Sequence, residues 1–350
     1  MYICTRLQGF SELTSVLKTQ ECRPVPSRGV LENLWGLNQI MTESKSYSFT
    51  RYLAAKKSVD DRALNRHVWQ SLSASLPPTS PGKPLRLLEI GAGIGTMLER
   101  MMALELFSSA EYTGIDSRAE NITVARQRLP AWGAENGYQV SRSDSELLFS
   151  RKGHQVKAAV EAVDVFEFAA RRQHHNAFDL LLANAFLDVV DVPATLPSLL
   201  VLLKPGGLVY FTINFDGATI FEPVIDAELE ERIQHLYHRS MDERLVAGKP
   251  SGDSRIGRHL FGHLSAAGVR IVDAGSSDWV VFAGSKGYPY DEAFFLHFII
   301  ETIYRELQNH PEIEPSIFKE WAHQRHDQIE RGELAYIAHQ LDFLGRIGPS

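Results

Sequence analysis

Short apolar runs alternate along the chain with stretches whose apolar residues recur at helical spacing. Leu85, Leu87, Leu88 and Ile90 form a run of the buried parallel-strand type. A helical pattern follows, with Met97, Leu98, Met101, Met102 and Leu104. The same alternation predicts strands over 112–116, 156–163, 178–184 and 208–215. Helices are predicted over 119–129 and 193–203, the latter with Pro193 near its start. Residues 130–153 are polar and read as loop, and Lys204-Pro-Gly-Gly207 reads as a turn. Further on, 224–247, 256–267, 294–307 and 315–329 carry helical spacing, while 269–272, 279–282 and 334–344 read as strand. Strands and helices alternating at these lengths predict an α/β chain with a doubly wound, mostly parallel sheet.

The N-terminal part is patterned differently. Residues 1–29 are weakly patterned and read as a loose tail. Leu31, Leu34, Leu37, Ile40 and Met41 share a helical face. A second helical stretch from Ser48 carries Tyr52, Leu53, Val59, Ala63, Leu64, Val68 and Leu72. The proline-rich segment 77–84 reads as a linker.

The composition, 44% apolar and 23% charged, supports a full core. A net charge of −7 argues against a nucleic-acid partner. Cys4 and Cys22 are the only cysteines, so neither a disulfide framework nor a cysteine zinc site is expected. The apolar runs at 199–203 and 294–300 are too short for a bilayer, so no membrane partner is expected. Residues 1–10 lack a signal-peptide core, and a reduced cytoplasm is the expected location.

Chemistry concentrates after the first strand, where Gly91, Gly93 and Gly95 stand at alternate positions and Glu89 lies two residues ahead. Strand, glycine turn and helix open a nucleotide-binding unit, in which backbone approaches a ligand where no Cβ intervenes. A dinucleotide fingerprint would need a small residue at position 96, which is Thr96.

Together with Gly-Ile-Asp (114–116), Val-Asp-Val-Phe (163–166), Phe-Asp-Leu-Leu-Leu-Ala-Asn (178–184) and Leu-Lys-Pro-Gly-Gly-Leu-Val (203–209), this turn resembles the class I S-adenosylmethionine-dependent methyltransferases. The resemblance implies a Rossmann-like, mostly parallel seven-stranded sheet with an N-terminal helical cap and helical insertions. The expected organisation is a tail over 1–29, a cap and linker over 30–84, and one Rossmann-like domain over 85–350 with insertions at 224–247 and 290–330. The implied cofactor is S-adenosyl-L-methionine, held by Glu89, Gly91, Ala92, Gly93, Gly95, Asp116, Ser117, Asp164, Val165 and Asn184. The turn's N–H groups and the following helix N-terminus favour the cofactor carboxylate. Asp116 would accept from both ribose hydroxyls, Asp164 from the adenine amino group, and the Val165 N–H would donate to the ring, with Phe166 covering the base.

Ala185-Phe-Leu-Asp188 after Asn184 is not the Pro-Pro-Tyr continuation of amino-directed DNA methyltransferases, and no Pro-Cys offers a cytosine C5 nucleophile. The expected acceptor is therefore a small molecule, enclosed under helices that carry many aromatic residues. Tyr47, Arg51, Tyr52 and Arg62 in the cap are candidates to close over the cofactor or grip the substrate, an arginine pairing with the cofactor carboxylate. The same helices could instead pack on one another or form a homodimer interface. The thirteen histidines form no metal motif: His259 and His263 stand at i, i+4 without a neighbouring ligand, and His174-His175 reads as surface. His297 and His339 could each be a general base or a packed residue, so the catalytic base stays unassigned. Two other readings remain: a nicotinamide-dependent Rossmann oxidoreductase, and a methyltransferase-like subunit that only binds.

Overall fold

The computed structural model describes residues 47–143, 146–246 and 248–348. The tail over 1–29 and the first predicted cap helix lie outside the described residues.

The cap comprises α1 (Phe49–Ala63) and α2 (Arg66–Ser75). The sequence reads as one helical stretch here, but Asn65 divides it. Its side chain accepts from the His67 and Val68 N–H groups at 3.0 and 3.1 Å, satisfying two donors at the start of α2. The Asn65 N–H meanwhile donates to the Asp342 carboxylate at 2.8 Å.

The chain continues through β1 (Leu85–Ile90), α3 (Thr96–Ala103), β2 (Ser109–Asp116), α4 (Ala119–Glu135), β3 (Gln139–Arg142), β4 (Glu146–Arg151) and β5 (His154–Ala162). Next come α5 (Val165–Ala169), β6 (Phe178–Asn184), α6 (Val192–Leu200), β7 (Leu203–Glu222) and α7 (Ala227–Asp242). The two-residue strands β8 (Leu245–Val246) and β9 (Lys249–Pro250) precede α8 (Ile256–Ala266). The chain then forms β10 (Val269–Ser276), β11 (Trp279–Val281), α9 (Glu292–Leu307), α10 (Pro315–Glu330) and β12 (Ala335–Ile347).

One sheet runs in the order β10-β12-β7-β6-β1-β2-β5-β4-β3, with β11 paired to β12. The neighbours β7-β6, β6-β1, β1-β2 and β2-β5 are all parallel, while β12 runs antiparallel to both β7 and β10. The seven strands from β10 to β5 make the expected Rossmann-like sheet. After β5 the chain returns to the other side of β1 as β6, so the strand order reverses at β1. Open α/β sheets place ligands beyond the carboxyl ends of the strands at such a point. Leu87, Leu88, Leu180, Leu181 and Leu182 are fully buried, as strands covered on both faces require.

Three strands add to the seven. Residues 130–153, read as loop, hold the end of α4 and the antiparallel pair β3-β4, which extends the sheet beyond β5. Helix α4 continues through Pro130, and Gly133 lets it lie against Phe149 of β4. A Cβ on Gly133 would come within 2.7 Å of that ring. The Lys204-Pro-Gly-Gly207 turn lies inside β7 as an irregularity: Leu203 pairs with Phe178, but Leu208 already pairs with Leu180. Strand β7 runs on past residue 215 to Glu222 beside β12, and this long ribbon meets α7 through Thr219 and His238, α10 through Phe221 and Trp321, and α9 through Tyr336 and Phe295.

Candidate functional site

At the carboxyl end of β1 the chain turns through Gly91, Gly93 and Gly95 with φ of +66°, +55° and +86°. These are left-handed conformations that side chains with a Cβ rarely adopt. Space is short as well: a Cβ on Gly95 would stand 2.9 Å from a Leu129 methyl. The turn is held by its own amides. Ala92 N–H donates to the Ile115 carbonyl, Gly95 N–H to the Ala92 carbonyl, and Gly93 N–H to the Asp116 carboxylate, each at 2.9 Å. These three N–H groups are engaged by the chain itself.

Asp116 ends β2 facing that turn. Its Oδ2 accepts from Gly93 alone, while Oδ1 accepts from the Arg118 N–H at 2.8 Å and the Asn121 Nδ2 at 3.1 Å. Burial raises its pKa, opposed chiefly by the Arg118 hydrogen bond. Ser117 is exposed at the rim. Asp164 caps α5, its Oδ1 accepting from Phe166 N–H at 2.8 Å and Glu167 N–H at 3.3 Å. Val165 is buried and Phe166 half-exposed, and with Asp164 they line the same cavity as the glycine turn.

Glu89 lies at the floor, 2% exposed. It accepts from the Tyr112 hydroxyl at 2.7 Å. Burial pushes its carboxyl up to about 8, against the opposing effect of that hydrogen bond.

The cap closes the cavity from above, but not with the arginines. Arg51 forms a two-point pair with Asp291 at 2.8 and 2.9 Å, and Arg62 donates to the buried Glu292 at 2.8 Å. Both fasten α1 to α9, and neither lines the cavity, so neither is placed to pair with a ligand carboxylate. Tyr47 packs on Phe294 at 5.5 Å, also outside it. Tyr52 does line the cavity, stacked on Phe298 at 4.0 Å between centroids.

The sequence reading passed over the residue at the centre of this closure. Asp60 of α1 is 2% exposed and lines the cavity. Its Oδ1 accepts from Trp279 Nε1 at 2.9 Å, and its Oδ2 accepts from Lys56 and from Asn184 Nδ2, the latter at 3.2 Å. Asn184 Oδ1 in turn accepts from Thr212 at 2.8 Å. One carboxylate thus joins the cap, the end of β6 and β11. A signal was present: Lys56 and Asp60 stand one turn apart on the apolar face of Leu53 and Val59. Next to this group, Ile213 lines the cavity with a φ of +58°, rare for a β-branched residue, its N–H donating to Asp342 at 2.8 Å.

The histidines lie elsewhere. His174 stacks on Phe168, His259 bonds Asp253 at 2.6 Å, and His339 bonds Asp278 at 2.8 Å. His297 and His339, the candidate bases, do not line the cavity. Among the described residues no cluster of three or more His, Cys, Asp or Glu could hold a metal. None of the described helices is long and apolar enough to cross a membrane.

Residues 88–209, the span from β1 through the start of β7, match the family model of a methyltransferase domain. This part of the chain is a methyltransferase domain. No curated protein matches the chain. Solved structures similar to this chain include geranyl diphosphate C-methyltransferase from Streptomyces coelicolor A3(2), at 11% identity over 92% of this chain and 99% of that one, TM-score 0.41. Phosphoethanolamine N-methyltransferase 2 of Haemonchus contortus is similar at 14% identity over 87% of this chain and 59% of that one, TM-score 0.39. An S-adenosylmethionine-dependent methyltransferase from Mesorhizobium loti is similar at 17% identity, covering 79% of this chain and 96% of that one, TM-score 0.37. Likeness of this degree says nothing of substrate.

Proposed function

We propose that the protein is an S-adenosylmethionine-dependent methyltransferase that acts on a small molecule enclosed beneath α1, α7 and α9. The observation that carries the reading is the continuity of the cavity. From Gly91 and Asp116 it runs into a chamber walled by Tyr52, Phe298, Tyr237, Trp279 and Tyr336. Aromatic walls with a few polar groups suit a small ligand that loses most of its water.

The residues present fit the cofactor. Glu89 is a buried carboxyl without a cationic hydrogen-bond partner, as an amino group would require. Asp116 Oδ2 accepts a single protein donor, leaving lone-pair capacity for ribose hydroxyls. Asp164, Val165 and Phe166 line the same cavity and would hold the base. When bound, S-adenosylmethionine supplies a methyl group activated by the sulfonium to which it is attached. The chain's part is alignment: Asp60 and Asn184 fix the cap over the strand ends, and the cap keeps water from the acceptor. In this reading α1 and the insertions at 224–247 and 290–330 form the lid.

The test is transfer of an isotopically labelled methyl group from S-adenosylmethionine into a metabolite extract. Label should appear in the dialysable fraction. Label confined to protein or nucleic acid would overturn the small-molecule reading. S-adenosylhomocysteine should also raise the melting temperature at saturation, while NAD and NADP leave it unchanged. The reverse result would restore the oxidoreductase reading.

Glu89 makes a further expectation. Its carboxyl, pushed up to about 8, is mostly protonated at neutral pH in the empty protein. A cofactor ammonium beside it favours the carboxylate, so binding should release a proton. Affinity for S-adenosylhomocysteine should then rise with pH and level off above about 8. Calorimetry in buffers of different ionisation enthalpy measures the release, and Glu89→Gln should abolish it. Binding heat that does not depend on the buffer would rule out this role.

A further inference from the structure

We propose that the acceptor is an uncharged aromatic molecule carrying an oxygen that accepts hydrogen bonds from Tyr52, Tyr237 and Tyr336. The inference rests on the methyltransferase reading of this cavity and adds to it the chemical class of the substrate.

The three tyrosines line the chamber from different elements: Tyr52 from α1, Tyr237 from α7 and Tyr336 from β12. Phe295 of α9 stands between two of them, its ring centroid 5.7 Å from that of Tyr52 and 6.2 Å from that of Tyr336. The phenol oxygens are close enough to act on one another electrostatically: Tyr336 and Tyr237 both act on Tyr52, and Tyr237 acts on Tyr336. Among the described residues none of these hydroxyls has a hydrogen-bond partner, and none is sealed off as the Tyr210 hydroxyl is. Thr302, Thr219 and Trp279, which share the chamber, are bonded within the chain, to the Phe298 carbonyl at 2.8 Å, to His238 at 3.2 Å and to Asp60 at 2.9 Å. Three unengaged donors gathered around one cavity mark where a ligand bonds.

Charge and shape narrow the ligand. Burial raises all three phenols, Tyr237 to about 12, so they stay protonated and neutral across the physiological range. The Lys56 ammonium is bound to the Asp60 carboxylate. Burial raises the Asp188 carboxyl toward its neutral form, and the positive charge of Arg244 is what opposes this most. Neutral, or ionised within reach of Arg244, Asp188 leaves no bare charge in the chamber. Among the described residues the other cation lining the cavity is Arg118, which follows Asp116 at the cofactor end and lies over the Phe49 ring at 4.4 Å. A carboxylate or ammonium on the substrate would therefore be buried without a counter-charge, which is costly. A neutral carbonyl or hydroxyl oxygen can accept from two phenols at once. The body that carries it meets ring faces: Tyr52 stacks on Phe298 at 4.0 Å, and Trp279 stands edge-on to Phe295 at 5.3 Å. A flat aromatic body extends that packing.

The test measures binding, with the protein saturated by S-adenosylhomocysteine. Two matched sets serve as probes: acetophenone, benzoate, benzylamine and ethylbenzene, and the same four substituents on naphthalene. In at least one set the ketone should raise the melting temperature and bind by calorimetry at least tenfold tighter than its carboxylate and its amine. It should also bind more tightly than its hydrocarbon, by about two- to tenfold for each phenol hydrogen bond. Tyr52→Phe, Tyr237→Phe and Tyr336→Phe keep the rings and remove the hydroxyls. At least two of them should lower the ratio of ketone to hydrocarbon affinity, with S-adenosylhomocysteine binding unchanged. Tyrosines that only pack would leave that ratio as it was. The proposal is overturned if the carboxylate or the amine binds as tightly as the ketone, if no ketone binds, or if the ratio is unchanged in all three variants. Failure of the unmodified protein to bind S-adenosylhomocysteine would instead overturn the cofactor reading beneath it. The comparison of the four probes on the unmodified protein decides the matter even if a variant does not fold.

Discussion

Asp60→Ala should destabilise the protein by about 3–5 kcal/mol, the scale for breaking a buried ion pair from one side. The carboxylate is 2% exposed and its partner Lys56 6%. Removing it leaves an ammonium buried without its counter-charge, and leaves the Trp279 and Asn184 N–H donors without an acceptor. The loss at Trp279 costs most, because that donor is buried. The effect should also pass to the site, since Asn184 would keep only its bond from Thr212 and α1 would lose its tie to the strand ends. Denaturant midpoints measure the stability change, and methyl transfer the functional one. The double variant Lys56→Met/Asp60→Leu separates charge from packing. It removes both charges and should be more stable than Asp60→Ala, because an uncompensated buried charge costs more than an apolar pair of similar volume. A single variant within about 1 kcal/mol of the parent would show that water reaches this cluster and that the pair is only a surface one.

The parts of this molecule legible in sequence are those that repeat locally. The buried run ending at Ile90, the glycines after it and the carboxylate at Asp116 announce themselves within a dozen residues each, and the sheet built on them is the expected mostly parallel one from β10 to β5. The β3-β4 pair was not legible, because Pro130 and the polar residues after it mimic a loop. Only the contact between Gly133 and Phe149 shows why the helix continues and the hairpin packs. The lid arginines misled for a different reason. A polar side chain on a cap helix reads as a ligand group when its protein partner is far away in sequence, and Asp291 and Glu292 are 240 and 230 residues from Arg51 and Arg62. Asp60 escaped notice for the same reason: Trp279 and Asn184 lie 219 and 124 residues away. Spacing reveals the backbone frame of this site, whereas the side chains that close it depend on contacts between distant segments.

Asp116→Ala should weaken cofactor binding by roughly 1.5–3 kcal/mol, the range for hydrogen bonds to a charged group, which is tenfold to more than a hundredfold in affinity. Two causes would contribute, and they are separable. Asp116 accepts from the Gly93 N–H, the Arg118 N–H and Asn121, so its removal also loosens the turn that carries the left-handed glycines. Its role toward the ribose is tested by a cycle with 2′-deoxy-S-adenosylhomocysteine. If the carboxylate holds the hydroxyl, the deoxy ligand should bind the unmodified protein less tightly than S-adenosylhomocysteine, and the difference should vanish in Asp116→Ala. If Asp116 only shapes the turn, the variant should weaken both ligands equally and the deoxy penalty should survive. The fold should persist in either case, because the carboxylate ends its strand at the rim of the cavity and the apolar core beneath β1 and β2 is untouched. Calorimetry with both ligands on both proteins gives the four affinities. A deoxy penalty of the same size in the variant would move the ribose contact away from Asp116.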